Sequence, residues 1–363
     1  MKIKDLANII DQIAPFFLQQ DFDNSGVQYA DLDENINRML ICLDVTRETI
    51  EEAVKKKCNT ILSHHPLFFK PFSKITKQDN PVIFQLMYHR LNLIAAHTNY
   101  DLAENGLNDY VGNLLDLKKI DCLEESEEKT LKLAVYVPDK YHEKLLNALF
   151  QAGAGNIGNY SETAFNFPGK GSFKPLENAK PFIGKIGKRK TVTEIKIETV
   201  FMERDLNKVI EAIYQNHPYE EPAYDIYQLK TNLKTGIGLI AQLPSEQSLE
   251  KICKKIKNIL KIPYLRMVKT EKQKIKTIAL CTGSGGSLIN KAIQKKADLL
   301  ITGDIKHHEA LNAKETGLNI IDIEHFYTEN YFVPAIMKQL IEADILETLL
   351  VASKNMSCPF QLL

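Results

Sequence analysis

Apolar and polar positions along this chain follow two rhythms. Near the N-terminus, Leu6, Ile9, Ile10 and Ile13 recur at helical spacing ahead of Pro15, which predicts an amphipathic helix and not a secretion signal. Over the next hundred residues, short apolar runs trade places with helical patterns. Strands are predicted over 37–45, 60–64 and 91–97, and helices over 46–57, 81–90 and 106–115. Strands alternating with helices of this length argue for βαβ units in a largely parallel sheet.

A charged patch at 124–130 breaks that rhythm. Beyond it the pattern reads strand 131–137, helix 140–151, glycine-rich turns at 153–158 and 168–171, strand 194–201, helix 205–215 and strand 223–229. This is a β-α-β-β-α-β unit of the ferredoxin-like kind. A polar stretch at 230–234 closes it, and from Gly236 the α/β rhythm resumes, with strands over 276–281, 298–301 and 319–323. The expected fold class is α/β: one α/β domain split into 1–127 and 233–363 by an inserted α+β domain at 128–232, with three consecutive domains as the alternative.

Composition narrows the class without naming a chemistry. The hydrophobic fraction of 44% and charged fraction of 25% are ordinary for a globular protein of 363 residues. No apolar stretch approaches the roughly 20 residues of a membrane span. Lys+Arg and Asp+Glu number 46 each, so the chain as a whole carries no electrostatic signal for nucleic acid or an anionic membrane. The lysine runs at 254–261 and 269–276 read as solvated faces. Six widely spaced cysteines without a Cys-x-x-Cys pair fit buried thiols in a reducing cytoplasm.

The histidines change the picture. Of nine, six fall in four segments rich in His, Asp and Glu: 63–66, 97–101, 302–309 and 322–329. His64 and His65 end a predicted strand and stop at Pro66, at the carboxyl end where open α/β sheets collect ligands. His97 and Asp101 follow another such strand. Asp101 has two oxygens to share between metals, while His97 suits a ligand, an orienting group, a proton-transfer group or a satisfied core histidine. His325 and Glu329, four apart on a predicted helix, share one face. Asp304 reads as a helix N-cap, and His307 and His308 have no evident place. The glycine-rich segment 282–287 suits a phosphate approach or a plain tight turn. Imidazole plus carboxylate without thiolate suits Zn, Fe, Mn or Ni, and so many ligands suit a pair of ions.

Taken in order, Asp23-Asn-Ser-Gly-Val-Gln28, Cys42-Leu-Asp-Val-Thr46, Ser63-His-His-Pro66, His97…Asp101, Gly283-Ser-Gly-Gly-Ser287, Thr302-Gly-Asp304…His308 and His325…Glu329 resemble the Nif-three-like proteins. Bacterial members are commonly labelled GTP cyclohydrolase 1 type 2 homologues. The resemblance implies a dinuclear metal centre and a toroidal homohexamer. Carried onto this chain, its ligands are His64, His65, Asp101, His325 and Glu329, with Asp101 and Glu329 as bridging groups. The inserted region resembles a PII/CutA-like domain through 153–160 and 216–225, a kind of domain that trimerises; His217 there reads as a turn residue before Pro218. Phe22, where relatives carry tryptophan, suggests a packing change. Glu324, where a small residue is usual, suggests an extra carboxylate beside the site.

These readings converge on a cytoplasmic, metal-dependent hydrolase with two divalent ions (Zn, Fe or Mn), acting on a nucleotide or related small molecule. His97 and His308 are its candidate catalytic bases. The alternative is a non-enzymatic hexameric metal-binding regulator or scaffold, whose inserted domain senses a small molecule.

Overall fold

The computed structural model describes residues 1–126, 129–157, 160–230 and 235–360. The chain divides into two compact units, one formed by 1–126 with 234–363 and the other by 127–233. The expected boundaries at 127/128 and 232/233 lie outside the described residues, as do Gly158 and Asn159 of the first glycine-rich turn.

The larger unit opens with α1 (Ile3–Ile13), which buries Ile3, Leu6 and Ile10. There follow β1 (Gly26–Tyr29), β2 (Met39–Cys42), α2 (Arg47–Lys55), β3 (Thr60–Ser63), α3 (Pro81–Tyr88), β4 (Asn92–Ala95), α4 (Thr98–Leu102), α5 (Leu107–Leu114) and β5 (Lys118–Glu125). The observed strands β2, β3 and β4 are shorter than the predicted 37–45, 60–64 and 91–97, and the buried apolar residues Leu43 and Ala96 lie just past the ends of β2 and β4. Thr46 starts α2 by accepting the Thr49 N–H, as an N-cap hydroxyl should.

The smaller unit holds β6 (Thr130–Pro138), α6 (His142–Gln151), β7 (Phe165–Phe173), β8 (Lys190–Met202), α7 (Leu206–Asn216) and β9 (Tyr224–Gln228). Its antiparallel sheet runs β7-β8-β6-β9, the ferredoxin-like order. Its own core includes Leu133, Val135, Leu145, Leu149, Ile197, Val209 and Ile213. His217 is spent on its turn: Nδ1 accepts the Tyr219 N–H at 3.0 Å and Nε2 meets the Tyr136 carbonyl at 2.9 Å. With both ring nitrogens on backbone, it has no lone pair for a metal.

The chain then returns to the larger unit with β10 (Gly236–Ser248), α8 (Leu249–Leu260), β11 (Arg266–Val268), β12 (Lys274–Ser284), α9 (Ile289–Gln294), β13 (Leu299–Gly303), α10 (His307–Thr316), β14 (Asn319–Asp322), α11 (His325–Glu329), α12 (Phe332–Glu342) and β15 (Leu350–Ala352). Two sheets result, ordered β1-β4-β3-β2-β15 and β11-β14-β13-β12-β10-β5. Within them β4-β3-β2-β15 and β14-β13-β12 are parallel, and β1, β11, β10 and β5 are antiparallel additions. Strand alternation sorts the core into layers. Ile41, Leu62 and Ile94 of one sheet share a central core with Leu280, Ile301 and Ile321 of the other. Leu40, Ile61 and Leu93 face away under α2 and α3, and Ala279, Leu300 and Ile320 under α9 and α10. Strands buried on both faces explain the unbroken apolar runs.

Candidate metal centre

The parallel strands of both sheets deliver their carboxyl ends to one place. Asp44 follows β2, His64 and His65 follow β3, and His97 with Asp101 follows β4; Asp304 follows β13, and His325 with Glu329 follows β14. His65 Nε2 lies 2.9 Å from Glu329 Oε2, and His325 Nε2 lies 2.7 Å from the same oxygen and 3.4 Å from His65 Nε2. His64 Nε2 stands 3.8 Å from Asp101 Oδ1 and 3.9 Å from Glu329 Oε1. Ligand atoms of His64, His65 and Glu329 all lie within 4.8 Å of one another, a group able to hold a metal ion.

Each imidazole is aimed by the atom behind it. His64 Nδ1 meets the Ala96 carbonyl at 2.7 Å, so that nitrogen carries the proton and Nε2 turns a lone pair inward. His64 is wholly buried, with the Phe332 ring 4.8 Å from its own, and its Nε2 has no hydrogen-bond partner. An orphaned lone pair facing two carboxylates fits a cation. Asp44 holds His65 Nδ1 and Asp304 holds His325 Nδ1, each at 2.7 Å. Asp304 therefore does not cap α10, whose N-cap is Lys306. Its backbone sits at φ +58°, which swings the carboxylate toward β14.

Electrostatics follow from the crowding. Burial opposes charge on His65, but Asp44 and Glu329 outweigh it and hold its pKa up at about 10. His325 is likewise opposed by burial, yet Glu329 and Asp304 raise it to about 9. Burial would raise Glu329, but His325 and the other imidazoles keep it well below the usual carboxylate range. Asp101 behaves differently: burial dominates and lifts it, with His64 pulling the other way.

His97 is brought beside this group without joining it. Its ring centroid lies 5.4 Å from those of both His64 and His65, and its Nδ1 meets Asp23 Oδ1 at 2.8 Å. Burial opposes the Asp23 charge, but His97, Thr98 and Ser25 hydrogen bonds more than offset it and depress the pKa. Asp23 Oδ2 also accepts the Thr98 N–H at 3.0 Å, fixing the start of the helix that carries Asp101. His308 is not brought in. It is exposed on the first turn of α10, and among the described residues its ring meets only that of His307.

The glycine segment takes the turn reading. A Cβ on Gly283 would lie 2.2 Å from Glu329 Oε1, one on Gly285 2.3 Å from Thr302 Oγ1, and one on Gly286 2.4 Å from Glu309 Oε2. Gly283 and Gly286 admit carboxylates, which repel a phosphate, and Gly285 admits a hydroxyl. Nor does Glu324 enlarge the ligand set, because Tyr264 Oη and Cys358 Sγ donate to its carboxylate. Phe22 is 64% exposed and is not a packing residue. Asp23, Asp44 and Asp304 are the residues whose roles sequence reasoning missed. For Asp44 and Asp304 the signal was their position after strand ends, facing histidines that also follow strand ends; Asp23 lies ahead of β1 and carried no such signal.

Fold and site together define a split α/β protein with a ferredoxin-like insert and a buried imidazole–carboxylate group. The chain belongs to the Duf34/NIF3 (NGG1p interacting factor 3) family, whose sequence profile matches residues 1–357. A protein of Halalkalibacterium halodurans called GTP cyclohydrolase 1 type 2 homolog is 39% identical over 361 residues, covering 98% of this chain and 95% of its own. A Bacillus subtilis protein of the same name is 37% identical over 342 residues, covering 93% and 91%. The crystal structure of a Bacillus cereus protein related to NIF3 superposes with a TM-score of 0.74 at 33% identity, covering 100% of this chain and 99% of that one.

Proposed function

We propose that this protein holds two divalent cations between His64, His65, Asp101, His325 and Glu329 and hydrolyses a small ring-bearing substrate, a nucleotide or related heterocycle. The observation that carries the reading is the wholly buried, unpartnered Nε2 of His64, aimed at Asp101 and Glu329. Imidazole and carboxylate donors suit Zn, Fe or Mn. Such cations, when bound, supply Lewis acidity that polarises a substrate and makes water a nucleophile at neutral pH.

The chain's own residues supply the rest. Asp23 accepts from His97 Nδ1–H, which leaves Nε2 to take up a proton beside the ligand group. Phe69, 48% exposed, stands edge-on against the His97 ring at 5.8 Å, a flat apolar surface one ring away from the ligands. That surface favours a planar heterocycle. The relatives' name points to GTP, but the carboxylates behind the glycine loop offer a triphosphate no cradle. The homohexamer implied by the family resemblance belongs to the same proposal.

Metal content by mass spectrometry, paired with a hydrolysis panel that includes GTP, tests it on wild type, His325→Ala and His97→Asn. His325→Ala is expected to lose both metal and activity. His97→Asn keeps its metal and loses about 10²- to 10⁴-fold in kcat. Full activity in metal-free protein overturns the hydrolase reading. About two ions per chain with no turnover on any substrate favours the regulatory or scaffold alternative.

A further inference from the structure

The smaller unit carries a charge feature that the chain's zero net charge conceals. β6 pairs with β8 only over Glu194–Met202, whereas β7 goes on pairing with β8 back to Lys190. The last four pairs, from Lys170 with Thr193 to Phe173 with Lys190, form a two-stranded ribbon with no third strand beside it among the described residues. The connection 174–189 closes its tip in an ordered turn, where Gly187 N–H donates to the Pro175 carbonyl at 2.8 Å and Lys188 N–H to Lys185 at 3.1 Å.

This arm is densely cationic. Lys170 and Lys190 lie on the ribbon, and Lys174, Lys180, Lys185, Lys188 and Arg189 in the connection; Glu177 is the single acid between Lys170 and Lys190. All seven cations are exposed, and none makes an ion pair among the described residues. Four lysines elsewhere in the same unit are paired, Lys129 with Glu203, Lys132 and Lys196 with Glu198, and Lys208 with Asp205, while Lys140 and Lys144 make no ion pair among the described residues. A concentration of unpaired cations is self-repulsive, and a polyanion relieves it.

Geometry selects among polyanions. Lys170 shares the ribbon face of Ile195 and Ile197, by alternation along paired strands, and Lys190 lies on the opposite face. A lipid surface meets one face of a ribbon, whereas a duplex groove offers phosphates to both. A two-stranded ribbon also fits the roughly 12 Å width of a major groove. Single strands need free aromatic platforms; of the arm's two phenylalanines, Phe173 lies against the Tyr219 ring at 5.9 Å, and Phe182, though 52% exposed, lies against those of Tyr141 and Tyr219 at 5.8 and 6.3 Å. We propose that the β7–β8 arm binds double-stranded nucleic acid through its phosphates.

The test is fluorescence anisotropy of the full chain with a labelled duplex of about 20 base pairs. The variants are the fourfold Lys174→Ala, Lys185→Ala, Lys188→Ala, Arg189→Ala and a charge-keeping Lys174→Arg, Lys185→Arg, Lys188→Arg. With four or more phosphate contacts, wild-type affinity falls about 100-fold between about 50 and 200 mM salt. The alanine variant is expected to bind at least about 10-fold more weakly with a shallower salt slope, and the arginine variant to match wild type. Equal binding by wild type and the alanine variant overturns the proposal. So does binding to phosphatidylserine vesicles with none to duplex. An alanine variant that elutes at a different size from wild type also overturns it, since the arm would then join copies of the chain.

Discussion

Gly283 shows how a single backbone position can decide the site. It holds φ at +67°, and a Cβ there would lie 2.2 Å from Glu329 Oε1. Gly283→Ala is therefore expected to destabilise the fold by about 1–3 kcal/mol and to push Glu329 off its histidines. Thermal melts and metal content read the two effects; a variant with its full metal complement would remove Glu329 from the ligand set. Protons on the imidazoles make a second prediction. Because the His65 and His325 pKa values are raised to about 10 and 9, both stay protonated at neutral pH in the metal-free chain. Their ion pairs stabilise that chain fully below about pH 6.5, and the contribution fades as pH rises through 9 and 10. A cation must displace these protons, so its affinity rises with pH. Calorimetry in two buffers of different ionisation enthalpy checks this, and pH-independent binding without proton release would contradict it.

At the scale of elements, β15 and the chain after it are tied to α2 by one buried carboxylate. Glu52 accepts from Ser353 Oγ at 2.7 Å and from the N–H groups of Lys354 and Asn355 at 3.1 and 3.3 Å. Beyond them Met356 Sδ accepts the Leu43 N–H, next to Asp44, and Cys358 reaches Glu324, next to His325. Glu52→Ala strands these donors and is expected to cost about 2–3 kcal/mol. Hydrogen exchange should quicken at 353–356 and not at β3; unchanged protection at 353–356 would show that Glu52 is not the latch. Little of this was legible in the sequence, since a lone glutamate on a helix has many possible partners. The strand ends were legible: His64, His97 and His325 each close an apolar run, and apolar runs mark strands. The second sheet was not, because parallel cores of β2-β3-β4 and β12-β13-β14 have the same rhythm whether they join or face each other. The carboxylates of Asp23, Asp44 and Asp304 were hidden for the reason Glu52 was, as short loops leave their partners to the fold.

The whole molecule contains two units with separate cores, and among the described residues the ligand group lies in the larger one. Binding to a native site stabilises by about 2.7 kcal/mol when ligand stands at 100 times its Kd. Chelation should therefore lower the melting transition of the larger unit and leave that of the ferredoxin-like unit in place. Scanning calorimetry of the full chain with and without a chelator reads this. Equal shifts in both transitions would mean that the units melt as one.

His65 and Glu329 touch one oxygen to one nitrogen across 264 residues of sequence. On a ribosome adding about 5–20 residues each second, Glu329 follows His65 by roughly 10–50 s. During that interval the nascent first half exposes two histidines and an aspartate but lacks the carboxylate that binds them into a site. On the metal-binding reading proposed above, cation loading is deferred until synthesis is nearly finished, and the ion inserted is set by the pool around completed chains and not by whatever meets the emerging histidines first.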